Sequence, residues 1–243
     1  MVIFGFGKSA AKEVDDSVRA PSASSCIVSE AGLVREDNQD RVFVDDERGV
    51  YCVADGMGGG AEGGLASEII CRDLKMLVGG AGRDFDSVVA AVQRALEEAN
   101  LAIYSYARDK GFGVMGSTAA VLVLDPANRR HAAVCTVGDS RVYRIRKGMP
   151  ELLTRDHRVA KGDNMLTRAV GISESVSTEW LEIESTSESR FILCTDGVHD
   201  VVSAARLAVF VAAGPLQSAA NRLSADIMKH GAPDNFSFVL VSV

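Results

Sequence analysis

The chain has 243 residues, 47% of them hydrophobic, which is enough to bury a full core in one large domain or two small ones. A formal net charge of −7 and a pI near 5.2 argue against broad attraction to DNA, RNA or an anionic membrane, which needs clustered Lys and Arg. No stretch approaches 18 uninterrupted apolar residues, so no membrane span is expected.

Met1 to Lys8 is apolar and Gly-rich but lacks a preceding basic segment and a following A-x-A cleavage pattern, so it does not read as a signal sequence. From Ser9 to Ser25 no period is visible, and we expect residues 1–25 to be an exposed leader and 26–243 a single folded domain. Short β-rich runs follow at 26–29, 41–44 and 50–54. Apolar residues then recur at three- and four-residue steps over 62–78 and 85–108, the second through Val88, Val89, Val92, Ala95, Leu96, Ala99 and Ile103, predicting two amphipathic helices. Further strands are predicted at 117–124, 131–137, 141–146, 191–195 and 236–243, with helices at 203–211 and 216–230 punctuated by Gly214-Pro215. Strands in runs and helices in runs predict α+β layers rather than a parallel sheet. Five cysteines, Cys26, Cys52, Cys71, Cys135 and Cys194, stand singly without C-x-x-C spacing, as reduced thiols of a cytoplasmic protein would.

Several aspartates stand where an apolar run stops and a turn residue follows: Ala54-Asp55-Gly56, Gly138-Asp139-Ser140 and Thr195-Asp196-Gly197, with Asp234 just before the last strand. One Asp-Gly is a common hairpin turn. Three acidic strand ends plus Asp234 make a set of hard oxygen donors without His or Cys, suited to magnesium, manganese or calcium rather than zinc. The EF-hand spacing is absent and the carboxylates are far apart in sequence, which favours a catalytic pair of ions over structural calcium. The Gly-rich run from Gly56 to Gly64 lacks the basic residue of a P-loop. The four histidines share no metal-ligand spacing.

Arg35-Glu36-Asp37-Asn38-Gln39-Asp40, Ala54-Asp55-Gly56-Met57-Gly58-Gly59, Gly116-Ser117-Thr118-Ala119, Gly138-Asp139-Ser140-Arg141, Leu166-Thr167-Arg168-Ala169-Val170-Gly171, Thr195-Asp196-Gly197 and Asp234-Asn235 occur in one order along the chain. In that order they resemble the bacterial branch of the metal-dependent type 2C serine/threonine protein phosphatases. The resemblance implies a four-layer αββα sandwich of two antiparallel sheets with helices on both outer faces. It also implies a site at one edge holding two Mn2+ or Mg2+ ions. Asp55 resembles the carboxylate that bridges both ions, Gly56 the residue offering a backbone carbonyl to one, and Asp196 and Asp234 the ligands of the other. Arg35 resembles the phosphate-binding arginine. Gln39, Asp40 and Asn235 resemble polar groups around the metal waters, and Asp40 and Asn235 count with Arg35 and Asp55 as candidate catalytic residues. Asp139 and Arg141 are expected to be structural, as is His157.

Two ions roughly 3.5–4 Å apart can activate a bridging water for in-line attack on a phosphate monoester, with no phosphoenzyme. The implied substrate is a phosphorylated protein, the implied partner a serine/threonine kinase whose action is reversed, and the expected state a monomer without nucleic acid or membrane. Met57 stands where eukaryotic members carry a histidine proposed as general acid, so the leaving-group proton must come from water or another group. Where bacterial relatives carry an Asp that helps hold a third ion, this chain has Gly113; a third ion would lean on Asp196 and Asp200 alone. Only residues 158–165 stand between His157 and Leu166, a shortened flap that predicts a more open cleft. A catalytically silent binding module and a hydrolase of small phosphate esters are the alternative readings.

Overall fold

The computed structural model describes residues 24–58, 61–159 and 165–243. Among the described residues sixteen elements follow one another. The first half carries β1 (Ser24–Glu30), β2 (Asp40–Asp45), β3 (Val50–Gly58), α1 (Ala61–Gly79), α2 (Phe85–Lys110), β4 (Met115–Ser117) and β5 (Ala119–Leu124). The second carries β6 (His131–Val137), β7 (Arg141–Arg146), β8 (Met149–Leu152), β9 (Glu179–Glu184), β10 (Arg190–Cys194), α3 (Asp196–His199), α4 (Ala204–Val211), α5 (Leu216–Lys229) and β11 (Phe236–Ser242). Most of the expected leader, residues 1–23, lies outside the described residues. Its last two, Ser24 and Ser25, belong instead to β1, where they pair with Ser242 and Val241 of β11; backbone pairing carries the strand past the point where apolar side chains begin.

One sheet has the order β1-β11-β10-β7-β8 and the other β2-β3-β5-β6-β9, with β4 pairing β3. The named strand pairs are antiparallel. The strand β3 shows why the layers stack. Its Val50, Cys52 and Ala54 pack with the α1 and α2 side chains, while Tyr51 and Val53 pack between the sheets with Phe191, Leu193, Val239 and Val241. A strand covered on both faces reads as a continuous apolar run, not an alternating one. On the far side, Leu207, Val211, Leu223 and Ile227 of α4 and α5 cover Ile192, Phe238 and Leu240. The expected αββα sandwich is thus formed.

The helical stripe of α2 buries Val88, Val92, Ala95, Leu96, Ala99 and Ile103. The Asp84 carboxylate caps its start by accepting from the Ser87 amide at 2.9 Å, and Gly111 ends it in the left-handed conformation, φ 71°. The expected 117–124 strand is split at Thr118, with Ser117 belonging to a separate strand β4, and three further elements were not expected: β8, β9 and α3. Both strands lie on sheet edges and are largely exposed, so Pro150 in one and Glu179, Glu182 and Glu184 in the other interrupt any core pattern. The helix α3 has only 4 residues, too few for a period.

Candidate active site

The ends of β3 and β10 and the start of β11 meet at a cleft of about 510 Å³, lined among others by Arg35, Asp55, Gly56, Asp139, Asp196 and Asp234. Asp55 sits opposite Asp40 in the β2–β3 register. Thr118 fixes its backbone from the other side: its hydroxyl accepts from the Asp55 amide at 2.9 Å and its amide donates to the Asp55 carbonyl at 2.8 Å. The first turn of α1 lies so close to Gly56 that a Cβ there would overlap the Gly63 carbonyl oxygen; glycine allows that approach. Asp196 opens α3, and the adjoining Gly197 lies against the Asn235 carbonyl, leaving no room for a Cβ. The Gly residues after both aspartates therefore serve close packing.

The carboxylates crowd one another in a desolvated space. Asp40 is 1% exposed; its Oδ2 accepts from the Thr195 hydroxyl at 2.9 Å, and its Oδ1 has no hydrogen-bond partner among the described residues. Burial pushes the Asp40 carboxyl up to about 7, against the hydrogen bonds from Ser237 and Thr195 and with the charges of Asp196 and Asp234 adding to it. Asp55 is raised well above the carboxylate range, by burial first and then by Asp40 and Asp196. Asp196 is raised by burial and by Asp139. Four mutually repelling oxygen groups and an unsatisfied buried Oδ1 form a site short of positive charge, and the donor set fits hard divalent ions.

Among the described residues, however, no three such side chains are already gathered around one ion. Two arginines hold members of the set. Arg35 holds Asp234 through a bidentate pair, Nε to Oδ1 at 2.8 Å and Nη2 to Oδ2 at 2.8 Å, and the Arg158 guanidinium faces Asp196.

Asn235 lines the cleft and is tied to the loop backbone. Its Nδ2 donates to the carbonyls of Ala31 at 2.9 Å and Asp37 at 2.8 Å, and its Oδ1 accepts from the Gln39 amide at 2.9 Å. The carboxamide thereby braces the 31–39 loop that carries Arg35. Asp139 is structural, as expected, but through an unexpected partner, Arg158. Arg141 pairs bidentately with Asp156 at 3.0 and 2.7 Å, and the His157 Nδ1 accepts from the Gly138 amide at 3.1 Å; both are scaffold. Met57 and Leu166 line the cleft. The shortened flap is closed at its base by an Arg158–Leu166 bridge, while residues 160–164, on which the expectation of an open cleft depends, lie outside the described residues. Thr118 and Arg158 are the participants that residue-by-residue reading did not single out. The first stands in the quoted Gly116-Ser117-Thr118 motif. The second has no local signal.

A family model described as Protein phosphatase 2C matches residues 29–230. The serine/threonine phosphatase stp of Listeria innocua is 26% identical over 241 residues, covering 88% of this chain and 93% of that one. The solved structure of PppA, described as a key regulatory component of the T6SS in Pseudomonas aeruginosa, superposes with a TM-score of 0.86 at 30% identity, over 92% of this chain and 98% of that one. The catalytic domain of the serine/threonine phosphatase PstP, solved in complex with 2 manganese ions, superposes with a TM-score of 0.78 at 26% identity, over 90% and 97%. Fold, acidic cleft and a match across most of the chain agree: the protein belongs to the protein phosphatase 2C family of metal-dependent serine/threonine phosphatases.

Proposed function

We propose that this phosphatase removes phosphate from phosphoserine and phosphothreonine side chains of proteins, at the cleft where Asp55, Asp196 and Asp234 meet, and so reverses a serine/threonine kinase. The observation that carries the assignment is the pairing of buried Asp40 with half-buried Asp55 across β2 and β3, with Asp196 and Asp234 lining the same cleft as Asp55 and Arg35 at the rim. Asp55 and the Gly56 carbonyl would hold one ion, and Asp55, Asp196 and Asp234 the other. Two bound divalent ions supply an activated water and neutralise the phosphoryl charge during in-line displacement.

The protein's own groups do the rest. Asp40 offers a buried acceptor at Oδ1, suited to orienting a water beside Asp55. Arg35 already presents its planar fork to a carboxylate, and a phosphate replaces that anion like for like. Asn235 and the loop backbone keep the fork in place. Met57 has no proton to give, so the serine or threonine oxygen leaves with a proton from water. Five free cysteines support a reducing, cytoplasmic setting, and no helix among the described residues is long and apolar enough to cross a membrane.

The substrate class is tested with phosphopeptides carrying phosphoserine, phosphothreonine or phosphotyrosine, alongside free phosphate-ester metabolites, all with Mn2+. Phosphoserine and phosphothreonine peptides should react at least ~10-fold faster in kcat/KM than the other two classes. A preference for the free metabolites would overturn the assignment of substrate.

A further inference from the structure

Arg158 is a charged side chain buried in the cleft wall, and the chemistry above gives it no task. It bridges Leu166, and the neighbouring Val159 amide donates to the Met165 carbonyl at 3.0 Å. Its side chain is 9% exposed. The guanidinium turns inward: Nε donates to Asp139 Oδ2 at 2.5 Å, and Nη2 lies 3.5 Å from Asp196 Oδ2 and 3.7 Å from Asp200 Oδ2. That Nη2 is buried without a hydrogen-bond partner among the described residues, so it contributes charge rather than a bond.

The other basic side chains nearby are otherwise engaged. Arg141 is taken by Asp156. His199 sits between the Asp139 carbonyl, 3.1 Å from its Nε2, and Asp200 Oδ1, 3.0 Å from its Nδ1. Desolvating a guanidinium is costly unless opposite charge surrounds it. Here three carboxylates, from the turn after β6 and from both ends of α3, provide that charge.

We propose that Arg158 is a tethered counter-cation and a positioning residue. Its fixed charge holds Asp139, Asp196 and Asp200 together, aims Asp196 at the cleft, and fills the place that an additional divalent ion would otherwise take between these carboxylates. The inference rests on the reading of Asp196 as an ion ligand. A guanidinium keeps its charge at any accessible pH and cannot dissociate into the medium. This wall of the cleft therefore carries a fixed positive charge whatever the metal concentration, and the bound ions number two.

The test counts ions rather than turnover. Mn2+ bound to the full-length chain is measured by equilibrium dialysis, with the free ion read from its solution EPR signal. The wild type should bind two Mn2+ per chain, Arg158→Gln, which keeps donors but loses charge, one more and weaker, and Arg158→Lys two again, because the charge returns. Adding Asp200→Asn to Arg158→Gln should remove the extra ion. If Arg158→Gln binds two ions with wild-type affinities, the guanidinium is only a hairpin brace and the inference fails alone. If the wild type binds no Mn2+, the assignment of Asp55, Asp196 and Asp234 fails and takes this inference with it. A variant that does not fold is replaced by Asp200→Asn in the wild-type background, where the count must stay at two; a fall to one would place an ion on Asp200 and overturn the proposal.

Discussion

The cleft has two arginine-bearing walls, built in opposite ways. At the rim, Arg35 and Asp234 form a pair whose side chains are 57% and 38% exposed. On the inner wall, Arg158 and Asp139 are 9% and 6% exposed. Water screens the first pair, so it is worth little and its partners can be exchanged. The second pair is desolvated, and removing one member strands the other. In the proposed function the rim arginine trades a carboxylate for a phosphate, while in the proposed inner wall the second arginine keeps its charge in place.

The comparison breaks most severely at the inner wall. Asp139→Ala leaves Arg158 buried with its closest partner gone and should lower stability by ~3–5 kcal/mol in urea unfolding; a change under ~1 kcal/mol would mean that the pair is not the desolvated unit described. Next comes the brace beneath the rim. Asn235→Ala strands the Ala31 and Asp37 carbonyls and the Gln39 amide, and a loss of ~1–3 kcal/mol is expected, together with a raised KM because Arg35 loses its support. The smallest stability effect belongs to Arg35→Ala, within ~1 kcal/mol, yet its kcat/KM on a phosphopeptide should fall ~10–100-fold, with Arg35→Lys restoring only part because an ammonium lacks the bidentate fork. Equal stability losses at Arg35 and Asp139 would erase the distinction between the walls.

What could be read in the chain follows the same division between local and distant causes. The stripe of α2 and the runs of β5 and β6 declare themselves because their periods are set by the faces they bury. The strands β8 and β9 do not, since an edge strand exists through its neighbour's hydrogen bonds rather than through its own pattern. In the site, Asp55 and Asp196 stand out because an acid before glycine at the end of an apolar run is conspicuous. The bracing role of Asn235 is not legible because its partners, Ala31 and Asp37, lie 204 and 198 positions away. Arg158 is silent because only the fold turns it from a flap residue into the counter-charge of Asp139, 19 positions earlier.

The central claim is that Asp55 and Asp196 make a two-ion hydrolytic centre. It is tested most directly by hydrolysis of p-nitrophenyl phosphate with added Mn2+, comparing wild type with Asp55→Ala and Asp196→Asn, each shown by circular dichroism to be folded. The account predicts metal-dependent turnover that disappears on chelation and falls at least ~1,000-fold in both variants. Turnover in folded wild type that ignores Mn2+, or that survives either substitution, would contradict it.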